Sequence, residues 1–207
     1  MVLFNTVQSP VDDVRVRRAL QLSTNQEALI KASLGAGAGE RATQWFSRES
    51  RWWSSLAAEA WPDLDEAAAK ELLAAYINDE DRSDRRTPGS KISVDLQCTD
   101  DIHLSSMTRE LSRQWEATGL VEVEIETVTR SGLIQRVLGS ITDRPGFSGD
   151  FVATCWRVGG ESDPAMMFGP VLRPIGGDAT RQSWGEHVRM HLQSRMLHTG
   201  LRPCVSR

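Results

Sequence analysis

Hydrophobic and polar positions alternate with two different periods along the chain, and the switches between them mark out the elements. Leu3 to Val7 reads as a short strand that ends at Ser9-Pro10. Asp12 or Asp13 is placed to cap a helix running to about Leu22, because a carboxylate there satisfies free N–H groups and complements the helix dipole. Thr24 or Asn25 caps a second helix through Ala32, with Glu27 in its first turn. Gly35 to Gly39 is a flexible loop, and residues 40–62 have no clean period. Asp65 opens a helix with Ala68, Leu72, Leu73 and Tyr76 on one apolar face, followed by a polar stretch from Asn78 to Ser90 that predicts a solvated connection.

From Lys91 the pattern strengthens. Ile92, Val94, Leu96 and Cys98 alternate with polar residues, which predicts a strand with one face buried. Leu104, Met107, Leu111 and Trp115 follow at helical spacing, and Gly119 is placed to end that helix. Val121, Val123 and Ile125 alternate with Glu122, Glu124 and Glu126, giving a second half-exposed strand whose glutamates form a solvated face. A short helix around Gly132–Leu138 leads to Phe151–Trp156, a near-continuous apolar run of the kind found in a central strand. Strand alternating with helix predicts an α/β protein with a mixed, mostly parallel sheet flanked by helices.

The 207 residues fit one domain, and 40% hydrophobic with 25% charged residues allows a sizeable core. A net charge of −4 gives no electrostatic case for nucleic acid as a partner. No run approaches ~20 apolar residues, the length a membrane-crossing helix needs, and the first residues show no signal peptide. Three cysteines cannot all pair, and Cys98 and Cys155 stand in apolar runs, so buried free thiols are expected there.

Two biases change the picture. Of 24 basic residues three are lysines and 21 arginines, and four of the seven tryptophans fall between Trp45 and Trp61. Val171 to Arg207 holds six arginines against Asp178 and Glu186, a net +4, so residues 1–170 carry −8. Such a step marks a boundary or a basic tail.

In open α/β sheets ligands collect beyond the carboxyl ends of the strands. The segment leaving the apolar run is Trp156-Arg-Val-Gly-Gly-Glu-Ser-Asp-Pro164. Trp156 offers a face for stacking, Arg157 a fork for a carboxylate, Glu161 or Asp163 a seat for an ammonium, and Gly159 and Gly160 a permissive backbone. The same residues also admit a plainer reading, in which Asp163-Pro164 caps a helix and the glycines make a turn. Trp45 and its aromatic neighbours could stack on a ligand, cover the sheet edge or face a partner domain, and packing is favoured. His187 and His191 share a helical face, but Val188 stands where a metalloprotease needs glutamate, so no metal is expected. Gly35–Gly39 lacks the Gly-Lys-Ser/Thr of a phosphate loop, and no nucleophile elbow occurs. No catalytic constellation and no cofactor site emerges, so an enzyme is not expected.

Phe4-Asn5, Pro10-Val-Asp-Asp-Val-Arg-Val-Arg-Arg-Ala-Leu20 and Thr24-Asn-Gln-Glu-Ala-Leu29 resemble the signature of family 5 extracytoplasmic solute-binding proteins, the receptors of peptide- and nickel-type ABC importers. Asp65–Leu73, Trp115–Glu124 and Gly149–Trp156 with Asp163-Pro164 resemble later family segments in the same order, so the likeness runs from about residue 3 to 169. The resemblance implies much of a second lobe over residues 1–170, lacking the N-terminal lobe. Residues 171–207 match nothing expected there and read as a divergent basic tail, poorly ordered or out of frame. It further implies that Trp156, Arg157, Glu161 and Asp163 line one side of a cleft that closes by a hinge on a peptide or other small-molecule solute. The closed form would be recognised by an ABC permease in the membrane, outside the cytoplasm. Peptide-binding relatives often place an aspartate three residues after the strand tryptophan, where this chain has Gly159, which leaves Glu161 to take its part. Alternative readings are a ligand-sensing domain of a regulator and a small stand-alone α/β enzyme.

Overall fold

The computed structural model describes residues 1–44, 46–138 and 149–156. Ten elements follow in order: β1 (Val2–Phe4), α1 (Val14–Leu22), α2 (Gln26–Leu34), α3 (Ser55–Glu59), α4 (Glu66–Ile77), β2 (Ile92–Thr99), α5 (Ile102–Glu116), β3 (Val121–Val128), α6 (Arg130–Leu138) and β4 (Ala153–Cys155). Three of the helices begin at the caps that the sequence predicts. Asp13 accepts from the Arg15 amide, Asn25 from Ala28 and Asp65 from Ala68, each side chain filling an orphan donor of the first turn. Gly119 stands at φ +78°, in the left-handed region where a side chain is strained, and ends α5 as expected.

The four strands lie in the order β1-β4-β2-β3. β2 pairs parallel with β3 over eight positions, Ile92 opposite Val121 through Thr99 opposite Val128. β4 pairs parallel with β2 at only two, Leu96↔Ala153 and Gln97↔Thr154, and β1 closes the other side antiparallel to β4. The mixed, mostly parallel sheet flanked by helices is the α/β architecture that the alternating pattern predicts. Its core gathers Val16, Leu20, Leu73, Tyr76, Val94, Leu96, Leu111 and Trp115, all nearly inaccessible to solvent. The indole N–H of Trp115 is satisfied by the Leu20 carbonyl at 3.1 Å and the Thr24 hydroxyl at 3.0 Å, which lets so large a ring be buried without an orphaned donor.

Three expectations are corrected and a fourth is refined. The first strand stops at Phe4, because Asn5 turns the chain, its amide bonded to Val152 and its side chain to the Gly149 carbonyl. The buried face of α4 is shifted by one position, with Ala69, Leu73, Tyr76 and Ile77 inside and Ala68 and Leu72 half-buried. Cys98 and Cys155 are not free thiols but a disulfide, since the β2–β4 register brings their Cα atoms to 5.1 Å across 57 residues of sequence. The polar stretch after α4 is solvated over most of its length, as expected, but it also folds around a buried arginine that the pattern does not reveal, Arg82, whose side chain has no exposed surface.

Candidate functional site

The parallel strands β2, β3 and β4 all point their carboxyl ends to one rim of the sheet. β2 leads there into Asp101, whose carboxylate receives the amides of His103 and Leu104 and so starts α5 on the rim itself. Ile102 beside it is 74% exposed, a large apolar side chain presented to solvent where a ligand or partner surface could cover it. The ring of His103 meets the Ser33 carbonyl at 2.6 Å through Nδ1, which draws the end of α2 to the same rim.

Trp156 directly follows β4 and is half-buried. Its amide donates to the Met1 carbonyl at 2.9 Å, and its carbonyl accepts from the Met1 nitrogen at 3.1 Å. The backbone that presents the tryptophan is thereby tied to β1 on one side, and through Cys155 to β2 on the other. A ring carried on so constrained a backbone is suited to stacking on a planar or apolar group at low entropic cost.

Arg157, Gly159, Gly160, Glu161 and Asp163, the remaining predicted site residues of this segment, lie outside the described residues, as does Trp45. The chain that leads to Trp45 can be followed. It doubles back along α2, with Gly39 against Ile30 and the Ala42 amide on the Gln26 side chain at 3.1 Å. Gln26 begins α2, and Asn25 before it bonds to Gln114 near the end of α5, so Ala42 stands at the end of the molecule away from the rim. Sequence reasoning did not single out Met1, Asp101, Ile102 or His103. The doublet Asp100-Asp101 immediately after a strand was the one visible signal, an N-cap placed where α/β sheets collect ligands.

Among the described residues no group of three or more His, Cys, Asp or Glu side chains is arranged to hold a metal ion, and no helix is long and apolar enough to cross a membrane. Two surface depressions lie elsewhere, one of about 260 Å³ between the start of α2 and Trp61–Leu64, the other in the loop at Glu80–Arg86. Among the described residues the rim presents aromatic, apolar and polar groups that can contact a solute from one side.

Comparison with known proteins agrees with the fold. The fold matches an ABC transporter substrate-binding protein, CtaP, from Listeria monocytogenes at 16% identity and a TM-score of 0.67, covering 99% of this chain and 37% of that one. A putative peptide-binding protein, AppA, from Clostridium difficile matches at 14% identity and 0.65, covering 97% and 40%. A dipeptide-binding protein from a Pseudoalteromonas species, solved with Met-Leu, matches at 20% identity and 0.61, covering 82% and 30%. The chain thus spans no more than about two fifths of the length of these relatives. No curated protein matches. Residues 1–173 match the middle region of the bacterial extracellular solute-binding proteins, family 5, and the chain belongs to that family.

Proposed function

We propose that this chain supplies one wall of a cleft that captures a peptide-like or other small polar solute outside the cytoplasm and delivers it to a membrane permease of the ABC class. The carrying observation is the convergence of the family match over residues 1–173 with a rim, at the strand carboxyl ends, on which Trp156 is fixed by Met1 and Cys155. Trp156 stacks on the solute, Arg157 forks a carboxylate, Glu161 or Asp163 receives an ammonium, and Gly159 and Gly160 let the backbone approach. Gly159 replaces the acidic residue that peptide receptors place after the tryptophan, so Glu161 carries the ammonium contact or the solute lacks one. The chemistry is binding: closure of two lobes around the solute creates the form that the permease recognises. The other wall of the cleft belongs to the first lobe of the family's fold, and residues 171–207 are divergent and basic in sequence.

With one wall alone, solute binding is weak. Titration of the isotopically labelled chain with di- and tripeptides, followed by NMR, is expected to shift the Trp156 indole and the amides of Asp101–His103 with no saturation at micromolar peptide. Shifts confined to another surface, or micromolar affinity of these 207 residues alone, would overturn the half-cleft reading.

A further inference from the structure

We infer that the Cys98–Cys155 disulfide is a redox-dependent clasp that holds the carboxyl end of β4, and with it Trp156, against the sheet. On the β2 side the backbone fastens this strand by few pairs, and its firmer backbone ties run to β1. β4 is three residues long and shares two register pairs with β2, against eight between β2 and β3. β1 on its other side is equally short. Cys98 and Cys155 stand at the next position of the β2–β4 register, so the covalent bond occupies the place where the pairing gives out. It lies one residue before Trp156 and three before Asp101, the cap of α5, and so joins the two segments that build the rim.

The bond is shielded. Cys98 and Cys155 are 2% and 1% exposed, and the Thr108 hydroxyl of α5 lies 2.8 Å from the Cys98 sulfur and 3.4 Å from that of Cys155. A thiolate must approach a disulfide sulfur in order to exchange with it, so the intact clasp resists small thiols until β4 opens. Once cut, β4 keeps its backbone pairs to β1 and β2 but loses its covalent tie to β2. The clasp forms when the two thiols pass two electrons and two protons to an exchanging disulfide such as glutathione disulfide, which leaves as two thiols. A phosphine reverses it: the phosphorus gives up two electrons and takes oxygen from water as the phosphine oxide, and the two water hydrogens end on the two sulfurs. The inference stands on strand register and not on solute capture, so the two can fail separately.

The experiment uses the whole 207-residue chain. Alkylation in denaturant without reductant, followed by peptide mapping, is expected to leave Cys98 and Cys155 linked and Cys204 alkylated. Hydrogen exchange is then compared before and after reduction by a phosphine in mild denaturant and return to native buffer. The amides of Asn5 and Ala153–Trp156 are expected to exchange about tenfold faster or more after reduction, while those of Val121–Ile125 on β3 change less than about twofold. Re-oxidation with glutathione disulfide is expected to restore the slow exchange. Alkylation of both Cys98 and Cys155, a link from either to Cys204, or unchanged exchange at Ala153–Trp156 would overturn the clasp. Equal acceleration in β3 would do so too, because it would make the bond a staple of the whole fold.

Discussion

Two connecting regions differ in the opposite sense to their composition. Residues 35–62 are rich in tryptophan, yet Trp52 is 43% and Leu56 68% exposed. The segment is held by a reciprocal pair between the Gln44 side chain and the Ser54 backbone, by Arg41 on Asp63, and by guanidinium stacks of Arg48 on Trp53 and Arg51 on Trp52. Residues 78–90 are almost entirely polar, yet they close around Arg82. Its Nη1 donates to the carbonyls of Ile77, Thr87 and Ser90, while Nε and Nη2 fork the Asp84 carboxylate at 2.6 and 2.8 Å. The Tyr76 ring is within reach of both Arg82 and Arg15, at 5.2 and 5.4 Å, and its hydroxyl meets Ser83, which donates to Asp12 near the start of α1. A buried charge with every donor satisfied orders a loop more firmly than exposed aromatic surface does.

Removing the central cation is the most direct way to break this comparison. Arg82→Ala strips the Asp84 carboxylate of its charged partner and the Thr87 and Ser90 carbonyls of the Arg82 donor, while Ile77 keeps the Gly89 amide, and it is expected to cost about 3–5 kcal/mol in urea unfolding. A cost below about 1 kcal/mol would mean that Arg82 does not order the loop. Asp84→Asn keeps the shape but weakens the charged fork, at about 1–3 kcal/mol near neutral pH. Burial alone would raise the Asp84 carboxyl, but its bonds from Arg82 and the Arg86 amide outweigh that and hold it below the ordinary value of 3.8. A carboxyl lowered in the folded state contributes stability that is complete above 3.8 and is lost as pH falls through the folded value. The stability gap between wild type and Asp84→Asn is therefore expected to be constant from pH 7 to about 5 and to close below 3.8. A gap independent of pH down to 2 would assign the effect to shape instead of charge.

The legible parts of the fold are those in which neighbours along the chain decide the outcome. The alternation of Ile92, Val94 and Leu96, the caps Asp13, Asn25 and Asp65, and the terminating Gly119 each act within a few residues, and each is found where the pattern puts it. The disulfide was not legible, because Cys98 and Cys155 look like ordinary apolar-strand residues until the parallel register sets them side by side. The Arg82 network was hidden for a related reason, since four of its five acceptor groups are not acidic side chains but backbone carbonyls and a tyrosine ring. Of the candidate site, Trp156 was legible from its place after an apolar strand. Met1, Ser33 and His103 reach the rim from three separate segments, and only the assembled sheet brings them there.

Smaller substitutions sharpen the comparison from the aromatic side. Gln44→Ala removes both bonds to the Ser54 backbone, the closure of the 44–54 loop, and is expected to cost about 1 kcal/mol, because those partly buried backbone groups can turn to water. Trp52→Ala is expected to shift the unfolding free energy by no more than about 0.5 kcal/mol. The ring is 43% exposed and its described ring partner is the Arg51 guanidinium, 4.7 Å from the centroid. A cation–π contact at such a surface contributes about 0.5–1 kcal/mol at most, and freeing the Arg51 side chain returns rotamer entropy that offsets part of it. Aromatic content here measures surface available for contact rather than the strength of the fold. If Trp52→Ala instead cost as much as Arg82→Ala, residues 35–62 would be a second core, and the contrast between the two regions would vanish.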